Sequence, residues 1–229
     1  MNSGTANNAA TSARVASAGD DWLLWQLADS GFPTGGFAHS AGLEAAWQHG
    51  EIRTRTELEI FLEASLGQIG HSALPLVTTA HAEPGRLVEL DELCDAFTSN
   101  HVANRASRAQ GRAFLAAATR IFSVPPLQPP FGHLAPVFGA VTRTLEINRV
   151  SAARLYFFGH LRGVFAAAVR LGIIGPMEAQ AWQHRLAPRA EEVLVRCLPL
   201  GLDDLAQTAP LLEIWQGAQD RLYSRLFQS

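Results

Sequence analysis

Trp22 to Gly50 reads WLLWQLADSGFPTGGFAHSAGLEAAWQHG, which is a helix, a glycine-rich corner and a second helix. In the first limb Leu24, Leu27 and Ala28 recur at helical spacing. Asp20 and Asp21 put negative charge where the free N–H groups of a helix start point. The corner then breaks helical geometry, because Pro33 has no N–H to donate and Gly35 and Gly36 tolerate positive φ. The chain must turn between Gly31 and Phe37. Leu43, Ala46 and Trp47 fit a second amphipathic segment closed by Gly50, with Ser40 as its expected N-cap. Glu44 lies one position too late for a strict capping box, which leaves its carboxylate to another task.

Outward from this stretch the chain stays helical. Thr56 and Glu59 suggest a capping box ahead of Leu58, Phe61, Leu62, Leu66 and Ile69. A short fourth helix is expected over His71 to Ala82, with Pro75 in its first turn, and a longer helical region over Asp91 to Phe122, bent near Ser99 and Asn100. The paired prolines of SVPPLQPPFG, Ser123 to Gly132, hold an extended connection. Further helices are expected over His133 to Leu145, Ser151 to Leu171, Met177 to Leu186, Arg189 to Leu198 and from Pro210 onward. The segment Ser151 to Leu171, apolar nearly all round, is expected at the centre. No stretch alternates with period two, so the predicted fold is all-α, a single compact bundle of about ten helices over residues 20–229.

Composition narrows the function classes. With 48% hydrophobic residues among 229 the chain can bury a substantial core, and a net charge of -3 supplies no basic field for nucleic acid or anionic lipid. Charged residues interrupt every apolar run before it could span a bilayer. Two distant cysteines, Cys94 and Cys197, form neither a disulfide framework nor a CxxC, as expected of a cytoplasmic protein. Residues 1–19 read as a disordered tail, with a degenerate transit segment as the alternative. There is no GxxxxGK[ST], no HExxH and no histidine pair at i, i+4 among the eight histidines.

Four ordered motifs resemble those of the UreF-type urease accessory proteins. The corner PTGGFAHSAGLEAA keeps Pro33, Gly35, Gly36, Phe37, Ser40, Gly42, Leu43 and Glu44 in register. Thr34 and His39 stand where bacterial members more often carry Val and Tyr, a plant-like variant. Ala103 to Gly111 (ANRASRAQG), Ala166 to Gln180 (AAAVRLGIIGPMEAQ) and the final LYSRLFQS are similar to further family segments, with Gln228 replacing a usual arginine.

The resemblance implies a non-catalytic scaffold, with no catalytic residue. It would dimerise and join UreD/UreH, recruit the GTPase UreG, and deliver nickel to the urease apoprotein. No tightly bound cofactor is implied, since nickel is handled by the complex. The tail residues Arg221, Tyr223, Arg225, Leu226 and Phe227 are the expected UreD/UreH side, being costly to leave in water or able to donate charged hydrogen bonds. Pro33, Gly35, Gly36, His39, Ser40, Glu44, Arg105 and Arg108 are the weaker expectation for the UreG side, where Glu44 or an arginine could bias the nucleotide site. A small helical enzyme, with Ser40, His39 and Glu44 as nucleophile, base and orienting acid, or a direct nickel carrier using His39, remains the alternative for the same corner.

Overall fold

A computed structural model describes residues 21–229, so the expected tail at 1–19 and the helix-start role of Asp20 lie outside the described residues. The described residues fall into a short unit, 21–32, and a large one, Pro33–Ser229. In the short unit, α1 covers 21–28, with the Trp22 and Trp25 rings edge to face at 5.1 Å. Asp29 ends it by accepting the Gly31 N–H at 2.6 Å on its side chain.

The large unit holds α2 (Leu43–Gln48), α3 (Arg55–Ala82), α4 (Leu87–Phe97), α5 (His101–Phe122), α6 (Leu134–Thr144), α7 (Arg149–Arg170), α8 (Pro176–Cys197) and α9 (Pro210–Ala218). No strand occurs among the described residues, as the missing period-two alternation predicts. The expected break in the Asp91 to Phe122 region is real: Asn100 caps α5, its Oδ1 accepting the N–H groups of Val102 and Ala103. The proline-rich connection carries no regular structure from Ser123 to Pro129.

Three local expectations are corrected. The capping box of α3 is Thr54 with Glu57, two residues before Thr56 and Glu59. Thr54 is extended and accepts the Glu57 N–H, while Glu57 takes the Thr54 N–H at 2.7 Å. Nor is there a separate fourth helix over His71 to Ala82: α3 runs on through Pro75, although proline cannot donate to the carbonyl of His71. The Ala206 N–H takes that carbonyl instead at 3.2 Å, so the break costs no buried bond and one helix runs through. Likewise α8 runs unbroken through Pro188, where the released carbonyl belongs to the exposed His184.

The central position belongs to α3 rather than α7. It packs on α4, α6, α7, α8 and α9, and its Leu58, Leu62 and Leu66 share one core with Phe157, Leu161 and Phe165 of α7, Leu194 of α8 and Leu212 of α9. Close crossings depend on glycine: a Cβ at Gly139 of α6 would collide with the Val77 carbonyl of α3, and one at Gly111 of α5 with the Gly132 carbonyl.

Part of the polar middle of α5 faces inward. Asp91, fully buried, accepts the N–H groups of Phe131, Gly132 and His133 at 2.6 to 2.8 Å. His133, also buried, contacts Ser107 Oγ at 3.1 Å and Asp95 at 3.0 Å, and Asn104 donates to Asp95 at 2.9 Å. This network ties the proline-rich connection to α4 and α5 and satisfies Asn104 and Ser107 within the fold.

Glycines should therefore respond oppositely to alanine. Gly139→Ala is expected to lose about 3 kcal/mol or more in urea unfolding, because the backbone of α3 must move. Gly159→Ala in α7, where a Cβ meets nothing within 4 Å, should gain about 0.5 to 1 kcal/mol. Equal effects at the two sites would contradict this packing.

Candidate functional site: the corner and the tail

The glycine-rich corner and the carboxy-terminal tail form one site. Gly35 is left-handed (φ 70°) ahead of a 3-10 turn, Gly36–Ala38. Ala41 (φ 54°) and Gly42 (φ 88°) then redirect the chain into α2. A Cβ at Gly42 would sit 3.1 Å from the Gln216 nitrogen, so glycine lets α9 approach. α2 starts at Leu43 behind Gly42, so Ser40 is not its conventional N-cap, although its Oγ accepts the Glu44 N–H at 3.4 Å.

Glu44, 1% exposed, is the hub. Its Oε1 accepts the Leu226 N–H at 2.6 Å, and its Oε2 accepts the Phe227 N–H at 3.1 Å and the Gln219 side-chain amide at 2.6 Å. Gln48, a turn later, adds a donor at 3.4 Å and also holds the Ser224 carbonyl at 2.9 Å. No ion pair to Glu44 exists among the described residues, so a buried carboxylate is satisfied by N–H groups aimed at it. That is the other task its register leaves open.

The remaining corner residues hold the same tail. The Gln228 N–H reaches the Ala38 carbonyl at 2.8 Å, and Ser40 Oγ donates to the Ser229 carbonyl at 3.0 Å. His39 Nδ1 lies 2.6 Å from Ser229 Oγ. Burial first, and the positive charge of Arg105 second, push its pKa below the usual imidazole value. Ser40, His39 and Glu44 thus turn toward the tail rather than toward each other as a nucleophile, base and acid would. Among the described residues no three His, Cys, Asp or Glu side chains gather to hold a cation.

Arg105 and Arg225 converge on Asp220, the first through two bonds of 3.1 and 2.8 Å and the second at 3.0 Å. With Leu226, Phe227 and Gln228 they line an open groove. Arg170, at the end of α7, lies 4.0 Å from the Phe37 ring centre and 4.2 Å from that of Phe227. Phe227 is only 3% exposed, whereas Tyr223 is fully exposed and Arg221 and Leu226 also face outward.

Two sets of residues expected on separate surfaces are therefore contiguous: His39, Ser40, Glu44 and Arg105 meet Arg225, Leu226 and Phe227. Pro33, Gly35 and Gly36 shape the corner they belong to. Arg108 stands apart, 3.9 Å from Asp95 and over the Phe131 ring. Sequence reasoning missed Arg170, Gln219 and Asp220 as site residues. Arg170 lies inside AAAVRLG, but nothing in that segment says it meets Phe37, 133 positions earlier.

Comparisons with known proteins attach a family to this sequence. The UreF family model matches residues 52–187. The chain is 39% identical to Urease accessory protein F of Arabidopsis thaliana over 91% of this chain and 92% of that one. It is 38% identical to Urease accessory protein F of Oryza sativa subsp. indica, covering 90% and 84%. Urease accessory protein UreF of Trichodesmium erythraeum is 31% identical, covering 89% and 94%. The chain belongs to the UreF family of urease accessory proteins, and its higher identity to the plant members than to this cyanobacterial one agrees with the plant-like corner.

Two outcomes follow for the clasp. Glu44→Ala strands the Leu226 and Phe227 N–H groups and the Gln219 amide, so urea unfolding should report a loss of about 3 kcal/mol or more; a loss below about 1 kcal/mol would contradict the hub. Acid should also loosen the tail. The folded His39 binds its proton less well than the unfolded chain does, so its contribution is complete above about pH 6.5 and is lost as pH falls through the depressed folded value. His39→Gln, which keeps a hydrogen-bonding group without titrating, should lose less stability than wild type between pH 7.5 and 5; identical losses would show that His39 takes no part.

Proposed function

We propose that this chain is a non-catalytic scaffold of urease maturation, acting in the cytoplasm as a dimer. With UreD/UreH it recruits the GTPase UreG, so that nickel, the cargo of the assembly rather than a cofactor of this chain, reaches the urease apoprotein. Membership of an accessory-protein family supports a role beside urease rather than as urease. No helix among the described residues is long and apolar enough to cross a membrane, and the predicted partners are proteins.

The observation that carries this reading is the split between backbone and side chains in the tail. Its backbone from Ser224 to Ser229 is fixed by Gln48, Glu44, Ala38 and Ser40, while Tyr223 and Leu226 are held outward. An aromatic and an aliphatic side chain on a pre-ordered backbone bind with little further loss of entropy, which is what an interface anchor requires. Arg221, exposed beside them, offers a charged donor at the rim. The assigned UreD/UreH side is thus Arg221, Tyr223 and Leu226 directly, with Arg225 and Phe227 holding the backbone that displays them. The UreG side is assigned to the corner around Pro33, Gly35 and Gly36 and to the Arg105 face, with buried Glu44 acting through the tail it binds.

The test is capture of purified UreD/UreH and then UreG by the tagged full-length chain. Truncating the tail would also remove Phe227 from the core, so point variants separate binding from folding. Tyr223→Ala combined with Leu226→Ala should lower capture of UreD/UreH at least about tenfold with an unchanged melting temperature. Wild-type capture by that double variant would overturn the assignment.

A further inference from the structure

Phe37, Arg170 and Phe227 form a stack of ring, guanidinium and ring that joins the corner, the end of α7 and the tail. We propose that Arg170 is a positioning residue: it locks the corner to the tail so that Phe37, Leu226 and Tyr223 are presented together as one partner-facing surface. This rests on the reading that partners dock there, and it adds a residue and a mechanism to it.

The contacts of Arg170 are not those of an ordinary surface arginine. No carboxylate pairs with it among the described residues. Its Nη1 donates to the Phe37 carbonyl at 2.6 Å, and its planar group has one aromatic ring within cation–π distance at 4.0 Å and another at 4.2 Å. A lysine ammonium, a point charge, could not match two faces and a directed donor at once. Arg170 also ends α7, where the carbonyl end of the helix favours a positive charge. The two rings it joins differ in environment: Phe227 is 3% exposed and Phe37 69%. Phe37 is therefore held outward from a buried base, as a docking aromatic would be.

Gln219, fully buried, also holds the tail: its amide nitrogen donates to Glu44 at 2.6 Å and to the Phe227 carbonyl at 3.2 Å. The stack at Arg170 adds a side-chain clamp to these hydrogen bonds. Without it the segment that Glu44 grips should open more often, by local rather than global unfolding.

Amide hydrogen exchange in the full chain tests this at Leu226, Phe227 and Gln228. Arg170→Ala should speed exchange at these three amides about tenfold or more, while Gly132 and His133, held by Asp91 in the separate network, keep their wild-type rates. Arg170→Lys should restore less than half of that loss on a logarithmic scale, and Phe37→Ala should speed the same amides severalfold. Wild-type rates in Arg170→Ala, or full rescue by lysine, overturn the proposal. If Arg170→Ala fails to fold, Phe37→Ala decides alone, its ring being largely exposed, and unchanged tail rates there overturn it equally. Capture of UreD/UreH is measured alongside: a loosened tail with undiminished capture would overturn the partner-surface reading while leaving Arg170 as the clamp.

Discussion

A buried carboxylate must find donors, and in this chain Glu44 finds them in the backbone of residues far along the sequence. Its oxygens bind the N–H groups of Leu226 and Phe227 and the side chain of Gln219, so the second helix and the tail cannot be placed independently. The left-handed turns at Gly35, Ala41 and Gly42 aim that carboxylate inward, and the close approach of α9 at Gly42 brings the tail within reach. Geometry at the corner thus decides what the last residues can do.

Backbone capture leaves side chains free to differ in role. Phe227 joins the common core with Leu43, Leu62 and Leu212, whereas Tyr223 and Leu226 are turned to solvent. Asp220 draws Arg105 and Arg225 together at the groove, a mostly exposed arrangement that contributes more to register than to stability. Ser40, His39 and Glu44, the inventory of a nucleophile, a base and an acid, are each hydrogen-bonded to the tail.

Much of the architecture was legible from residue patterns, because amphipathic spacing, caps and the glycine corner are local properties. The helices were recoverable, as was the break before Asn100, and the corner and tail stood out as the informative stretches. Legibility failed where a distant group changes a local rule. Pro75 ends a helix in isolation, yet the N–H of Ala206 replaces the lost donor. Thr56 and Glu59 satisfy the same pattern as Thr54 and Glu57, and only the extended conformation of Thr54 chooses between them. Arg105 and Arg108 read as partner-facing, yet their polar neighbours Asn104 and Ser107 bond to Asp95 and to the buried His133. The pairing of Glu44 with residues more than 180 positions later has no local signature at all.

Site-resolved exchange on the isolated wild-type chain at neutral pH tests the clasp most directly. If Glu44 holds the tail as part of the fold, the amide protons of Leu226 and Phe227 exchange at least about a hundredfold more slowly than in an unstructured chain, alongside those of α2. Exchange of both at unstructured-chain rates while α2 stays protected would contradict it.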